Sequence, residues 1–350
     1  MSNYHDGPVV NVAIIGCGAI SELFYAPAIS ALNDLLPVRV TSLVDPDPYR
    51  LSVLGKIFDS ASQCKQLDQL SFSNLDLAVV ASPQRFHAKQ VVTLLQNHVH
   101  VLCEKPLSSN LDEASVMLAA AETSDRLLAV GLFRRFWPVT RYIKDLITGR
   151  DLGDPLRFHW AEGGLFNWPA ATPSFFQKSS STGGVFADLG SHVLDLLLHW
   201  FGEVAEFEYQ DDAMGGLETN AAVELRFTSG VTGQVRLSRD TPIANVAWIE
   251  FERGSVSFQP GTVAEITLQM KHSDLAADAS LLPAQTYTQC FAEQIRNICR
   301  AIHGEDRLLV PAREALPSMA LIEQCYSSRR LMEQPWLSSE EWKTAQVLAD

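Results

Sequence analysis

The apolar run Val9–Gly16, followed by Gly16-Cys17-Gly18-Ala19-Ile20-Ser21 and a helical pattern over Ile20–Leu32, constrains this chain more than any other feature. A short β-branched run reads as a buried strand, and its closing glycines leave no Cβ at a strand-to-helix turn. Gly16 serves the tight turn. Gly18 lets the backbone approach a pyrophosphate, and the helix N-terminus that follows offers free N–H groups and a partial positive charge. Ser21 stands at the third glycine of the pattern, a helix–strand packing position that tolerates a small residue. Val38–Asp45 reads as a second strand ending in an acid. An acid there accepts ribose hydroxyls and repels a 2′-phosphate, so Asp45 favours NAD, while Arg50 keeps NADP open. Gly16, Gly18, Ala19, Ile20, Asp45 and Arg50 are therefore candidate dinucleotide contacts. Alone the glycine string is equally a turn of an ordinary α/β domain; the strand before it, the helix after it and Asp45 give it weight.

The rhythm downstream is that of a parallel sheet. Leu75–Ser82, His100–Glu104 and Leu127–Phe133 read as strands, and they alternate with helices to about Phe58, Gln96 and Glu122. Apolar rather than alternating strands imply helices on both faces. After Trp137 the pattern changes. Pro138–Thr148 reads as a helix, Leu156–Glu162 as a strand, Gly163–Ser181 as a loop and Gly184–Phe201 as a strongly apolar helix. Strands with glycine turns then run from Val204 to Lys271, which implies an antiparallel sheet, and helices close the chain over Tyr287–His303 and Arg313–Met332. The expected fold is an α/β N-terminal Rossmann domain with a parallel sheet over 1–135. An α+β C-terminal domain with a largely antiparallel open sheet follows over 136–350, for substrate and oligomerisation, and helix 313–332 is able to pack back on the first domain. Two domains suit 350 residues.

Composition excludes several classes. A formal net charge of −14 argues against a nucleic-acid partner. The apolar runs are too short or too charged to span a bilayer, and Met1–Pro8 is polar rather than a signal peptide. Cysteines 17, 64, 103, 290, 299 and 325 form no CxxC pair, so no metal site is expected and a cytoplasmic location is.

Two further motifs carry chemistry. Glu104-Lys105-Pro106 ends a parallel strand, where open α/β sheets bind ligands. A lysine there can hydrogen-bond a substrate hydroxyl and shuttle its proton, although a Lys-Pro step is also common in surface turns. Pro106 restricts Lys105 and is a candidate for a cis bond. In Gly183–Asp195, Asp188, His192 and Asp195 are spaced i, i+4, i+7 and share one face of an otherwise apolar helix. Such a stripe serves a site, faces solvent, or is satisfied inside the core. A histidine in it suits acid/base work near neutral pH.

These stretches resemble the Gfo/Idh/MocA family, relatives of glucose–fructose oxidoreductase and inositol 2-dehydrogenase. The matching segments are Val12–Ser21, Val79–Ala88, His100–Ser108 and Gly183–Gly202, in the family's order. The resemblance implies NAD(H) or NADP(H) in the first domain and a sugar, inositol or related carbinol at the domain interface. It implies that Lys105 contacts substrate and assists proton transfer, that Asp188 and His192 bind the reacting hydroxyl, and that His192 acts as base. Ser82, Pro83, His87 and Glu104 are then expected beside the cofactor. Gln84 departs from the family's usual Asn. The resemblance also implies a homodimer or homotetramer through the C-terminal sheet, and Val246–Phe251, read as apolar on both faces, is what a sheet covered by helices on one side and a second subunit on the other needs. Arg134 and Arg135 could meet an acidic group of the substrate, or be solvated or paired with acids. Trp168, with Phe166, Phe175 and Phe176, could stack on a sugar or simply pack. Two other functions share these motifs: a glycosidase or lyase that recycles bound NAD, and a non-catalytic dinucleotide sensor.

Overall fold

The computed structural model describes residues 8–32, 36–169, 176–178, 181–271, 276–278, 282–333 and 338–349. The chain divides into two compact units, one built chiefly from Met1–Phe136 and Thr286–Leu316, the other chiefly from Trp137–Trp168, Pro173–Gln285 and Pro317–Asp350.

The first unit contains β1 (Val10–Ile15), α1 (Ala26–Leu32), β2 (Val38–Val44), α2 (Pro48–Gly55), β3 (Ser62–Cys64), β4 (Leu77–Val80), α3 (His87–Gln96), β5 (His100–Cys103), α4 (Leu111–Ser124) and β6 (Leu128–Val130). The strands form one parallel sheet in the order β3-β2-β1-β4-β5-β6. The order reverses between β1 and β4, so the loops after these two strands diverge there and leave the crevice in which such sheets bind ligands. β1, β4 and β5 are almost wholly buried, as their unbroken apolar composition requires.

Three expectations change in detail. Leu127–Phe133 shortens to Leu128–Val130, because the chain turns at Gly131 into a 3-10 turn over Phe133–Phe136. The Ile20–Leu32 helix starts as a π turn, Ser21–Tyr25, in which Ala26 N–H donates to the Ser21 carbonyl. The short β3 carries Ser-Gln-Cys on a sheet edge, with no apolar alternation to announce it.

The helix Tyr287–Ile302 belongs to this unit. Phe291, Ile295, Ile298 and Cys299 enter the same core as Val12, Ile14, Ile29 and Leu32. Phe291 stacks on Phe24 and Phe133 at ring separations of 5.0 and 4.7 Å. Burying one such aromatic or branched side chain contributes roughly 2 kcal/mol.

The second unit opens with α5 (Pro138–Gly149), β7 (Pro155–Gly163) and α6 (Val185–Phe201). It continues with β8 (Val204–Asp211), β9 (Asn220–Phe227), β10 (Thr232–Ser238), β11 (Val246–Phe251), β12 (Gly254–Phe258), β13 (Thr267–Met270), β14 (Ala276–Asp278) and β15 (Arg330–Leu331). Its sheet runs β14-β13-β12-β11-β7-β10-β9-β8-β15; β7–β10 and β8–β15 pair parallel and the other neighbours antiparallel. One face is buried: Phe158 stacks on Phe201, Phe227 meets Phe201 edge-on, and Trp160 lies beside Trp200, both partners being on α6.

The other face is mixed rather than apolar. Val246 and Trp248 are half-buried, Trp248 stacks on His159, and Glu250 takes ion pairs from Arg157 at 2.9 Å and Lys271 at 3.3 Å. The expected helix Arg313–Met332 is a 3-10 turn, Ala312–Ala315, and a helix, Leu316–Ser327. Its last residues instead extend the sheet as β15. The final helix, Ser339–Ala349, was not foreseen. No helix among the described residues is long and apolar enough to cross a membrane.

Candidate active site

In the first unit the glycine turn is built against the loop after β4. Gly16 has φ +94°, and a Cβ there would lie 2.6 Å from the Ser82 backbone nitrogen, so both conformation and space demand glycine. A Cβ on Gly18 would meet nothing within 4 Å. That opening, beside the start of a helix, suits an approaching pyrophosphate. Ser21 Oγ donates to the Gly16 carbonyl at 2.6 Å, so the residue at the third glycine position fastens the turn it follows. Ala19 is buried and Ile20 packs partly into the core.

Asp45 closes the turn from β2. Its carboxylate accepts from Cys17 N–H at 2.8 Å and from Asp47 N–H at 2.9 Å. These bonds orient the acid while its remaining lone pairs can take ribose hydroxyls. Arg50 lies 3.3 Å from Glu22, an ion pair that offsets its charge.

The loops after β4 and β5 are stapled together by side chains. His87 is buried, with Nδ1 3.0 Å from the Pro106 carbonyl and Nε2 2.8 Å from the Ser82 carbonyl. Burial holds its pKa below the usual imidazole value, against the pull of the three backbone carbonyls around it. Gln84 Nε2 donates to the Ser108 carbonyl at 2.5 Å, which shows what the longer amide reaches. Ser82 Oγ donates to Gln90 at 2.5 Å. Pro83 is exposed. The Lys105–Pro106 bond is cis. Lys105 is half-buried and Glu104 is buried; the Glu104 carboxylate accepts from Tyr25 Oη at 2.6 Å and from Lys105 N–H at 3.1 Å. Arg134 and Arg135 are buried rather than solvated, and Arg135 stands 3.7 Å from Glu314.

In the second unit α6 begins at Gly183-Gly184, and the glycines are there for room. A Cβ on Gly184 would fall on the Glu218 carbonyl, and one on Gly183 on the Tyr326 hydroxyl. No N-cap side chain precedes the helix. Instead the buried Glu218 carboxylate accepts from Gly184 N–H at 2.8 Å, Phe186 N–H at 3.0 Å and Tyr326 Oη at 2.7 Å. An acid at this end also interacts favourably with the positive end of the helix dipole.

The polar stripe on α6 does not face solvent: His192 and Asp195 are buried and Asp188 is partly so. Arg239, which follows β10, bonds Asp188 Oδ2 at 2.7 Å, and its guanidinium lies 5.6 Å from the Phe166 ring. Sequence reasoning missed Arg239, Tyr25 and Glu218, because each reaches its motif across 51, 79 or 34 positions. Phe166 meets Phe176 edge-on at 5.0 Å, Trp168 is 36% exposed, and Phe175 lies outside the described residues. Asp188 and His192 thus share one unit; Lys105 and the glycine turn share the other.

Comparison with known proteins gives one answer across the chain. Residues 10–132 match the family described as an oxidoreductase family with an NAD-binding Rossmann fold, and residues 140–257 match the GFO/IDH/MocA C-terminal domain, together more than half of the chain. The chain is 25% identical to myo-inositol 2-dehydrogenase of Thermotoga maritima over 346 residues, covering 95% of this chain and 99% of that protein. It is 29% identical to glucose-6-phosphate 3-dehydrogenase of Bacillus subtilis over 194 residues, which spans only about half of each, 54% and 53%. Among solved structures, an oxidoreductase from Agrobacterium radiobacter in complex with NAD+, L-tartaric acid and magnesium superposes with a TM-score of 0.79 at 20% identity, covering 92% of this chain and 96% of that one. The WlbA dehydrogenase from Bordetella pertussis, in complex with NADH and UDP-GlcNAcA, has the same TM-score at 22% identity, covering 91% and 95%. Those likenesses establish the fold, and the two family matches establish the lineage. The chain belongs to the GFO/IDH/MocA family of oxidoreductases, whose N-terminal domain is an NAD-binding Rossmann fold.

Proposed function

We propose that this chain is a dehydrogenase or reductase that moves a hydride between a nicotinamide dinucleotide and a carbinol or ketone carbon of a sugar, inositol or related polyol. The observation that carries the reading is the buried His192 on α6, one turn from an Asp188 held by Arg239. Polar groups set into an apolar helix face need a purpose, and the family supplies one. Gly16, Gly18, Ala19 and Ile20 hold the pyrophosphate, Asp45 the ribose, and Ser82, Pro83 and Glu104–Lys105 border the nicotinamide end. His87 joins the backbones of these loops. A nicotinamide bound there would supply the acceptor for the hydride that leaves the carbinol carbon. His192 takes the hydroxyl proton, Lys105 donates a hydrogen bond to the same oxygen as its charge develops, and Asp188 orients a neighbouring hydroxyl. The reverse sequence reduces a ketone. Arg134 and Trp168 are assigned to the substrate's periphery.

NAD is the preferred dinucleotide: Asp45 disfavours a 2′-phosphate, and Arg50 is already engaged by Glu22. A cytoplasmic location is supported by the six dispersed cysteines, which are all free. A homodimer or homotetramer is assigned to the open face of the second sheet.

The test is a turnover screen over inositols, aldoses and sugar acids with each dinucleotide. Stoichiometric growth of absorbance at 340 nm is expected; turnover without net change would favour the recycled-cofactor reading. On the best substrate, Lys105→Ala should lower kcat about a hundredfold, the scale of a lost proton-transfer group, with NAD+ affinity nearly unchanged. Near-normal kcat would remove Lys105 from the chemistry.

A further inference from the structure

Glu104 precedes Lys105, yet it is not poised to reach a ligand freely, since its carboxylate is buried and directional. One oxygen accepts from Tyr25 Oη at 2.6 Å, and the other accepts from Lys105 N–H at 3.1 Å. Tyr25 Oη in turn accepts from Gln294 Nε2 at 3.1 Å. Every donor and acceptor in the series agrees: Gln294 donates to Tyr25, Tyr25 to Glu104, and the Lys105 peptide to Glu104. Burial and the Glu104 carboxylate both keep the Tyr25 phenol protonated and therefore a donor.

The geometry explains why a carboxylate stands before Lys105. Two acceptors are needed, and the amide of a glutamine offers one. It would turn its NH2 either toward the Tyr25 hydroxyl, which already donates to Glu104, or toward the Lys105 N–H. On one flank the carboxylate is approached closely by backbone: a Cβ on Gly131, just after β6, would lie 2.9 Å from it, so only a glycine fits there beside Glu104.

The three members come from distant elements of the first unit. Tyr25 ends the π turn that follows the glycine loop, Glu104 follows β5, and Gln294 lies on the helix Tyr287–Ile302. A π turn adds one residue to a helical turn and re-aims the side chains beyond it; such turns recur at functional sites. Here the helix that carries the dinucleotide turn at its start carries at its first turn's end the hydroxyl that fixes Glu104. Phe291, one turn from Gln294, meets Tyr25 edge-on at 5.1 Å and holds the ring in place.

We propose that Tyr25 and Gln294 are positioning residues, which act through Glu104 to fix the Lys105 peptide relative to the dinucleotide-binding helix. The proposal rests on the reading that Lys105 handles the substrate hydroxyl. Tyr25 and Gln294 touch neither substrate nor cofactor in this scheme.

The experiment compares wild type, Tyr25→Phe, Gln294→Met, Lys105→Ala and the double variant Tyr25→Phe/Lys105→Ala, on the best substrate from the turnover screen. NAD+ binding is measured by fluorescence titration on each. Tyr25→Phe should lower kcat about tenfold, well within what displacement of a catalytic group can cost, with the NAD+ Kd within about twofold. In the Lys105→Ala background the same substitution should change kcat by less than about twofold, because contacts in one network are not additive. A merely structural tyrosine would instead cost the same factor in both backgrounds, and that result overturns the proposal, as does a Tyr25→Phe enzyme with wild-type kcat.

Gln294→Met covers the case in which Tyr25→Phe does not fold. Gln294 Oε1 is buried without a hydrogen-bond partner among the described residues, so an apolar side chain of similar length removes an unmet acceptor along with the donor. Its kcat should fall about threefold with the same background dependence; unchanged kcat counts against the proposal. If Lys105→Ala itself keeps wild-type turnover, the functional reading of Lys105 falls, and this inference falls with it. If only the Tyr25 and Gln294 variants are silent, the inference alone fails.

Discussion

Gly16 and Gly18 look alike in the sequence and do different work. Gly16 combines φ +94° with backbone atoms of Ala81 and Ser82 inside 3 Å of any Cβ, whereas Gly18 has neither constraint. Gly16→Ala should therefore destabilise the first unit by about 2 kcal/mol or more from strain at a left-handed residue, read as a lower Tm. Gly18→Ala should leave Tm unchanged and weaken NAD+ about tenfold or more, roughly 1.4 kcal/mol of affinity. If both variants lose stability alike, the open space at Gly18 has been misread.

A second residue sets a pH limit. His100 on β5 accepts Leu127 N–H on Nδ1 at 2.9 Å, so protonation there would break that bond. Burial, helped by the Arg126 cation and opposed by Asp76 and Asp125, lowers its pKa to about 4. Below the ordinary histidine value the unfolded chain takes a proton that the folded chain refuses. This contribution to stability is complete above about 6.5. It is lost progressively as pH falls toward about 4. Tm should therefore fall between pH 6.5 and pH 4.5, and less steeply in His100→Gln. Equal slopes in the two proteins would contradict the assignment.

At the scale of elements, α6 shows how a helix can be placed by a residue its own sequence does not contain. Its apolar run and its Asp188-to-Asp195 spacing were legible as one face of a helix, because a period of 3.6 residues is a local property. Its cap was not: Glu218 sits in the connection between β8 and β9, and bonds two N–H groups at the helix start. Glu218→Ala leaves those donors and Tyr326 Oη buried without their acceptor, and should cost about 3 kcal/mol of stability, measured by denaturant unfolding. Loss of under half a kcal/mol would mean that water replaces the acid readily. The short strands β3 and β15 were missed for a related reason: each is two or three residues long, lies at the edge of its sheet, and has too few residues for a period. The run Leu127–Phe133 overstates its strand because apolar residues continue past Gly131 into a 3-10 turn.

On the whole-molecule scale, the open face of the second sheet carries Trp248 and Val246 among Arg157, His159 and Glu250. A face of this mixed kind suits a contact that is both apolar and directional. Light scattering at micromolar concentration should give a dimer or tetramer, and Trp248→Asp should shift it toward monomer. A stable wild-type monomer would refute the assembly.

By itself the sequence determined the parallel first sheet, the dinucleotide turn, the acid that follows it, and the Lys105, Asp188 and His192 motifs. Each is written in neighbouring residues, through strand-length apolar runs, glycine spacing and helical period. Only the tertiary structure decided that the helix Tyr287–Ile302 completes the core of the first unit. It alone brought Tyr25 and Gln294 to Glu104, Arg239 to Asp188 and Glu218 to the start of α6. The physical reason is one of range. Backbone periodicity and turn chemistry act over a few residues, but a buried polar group takes whichever partner the packing delivers, from any distance along the chain.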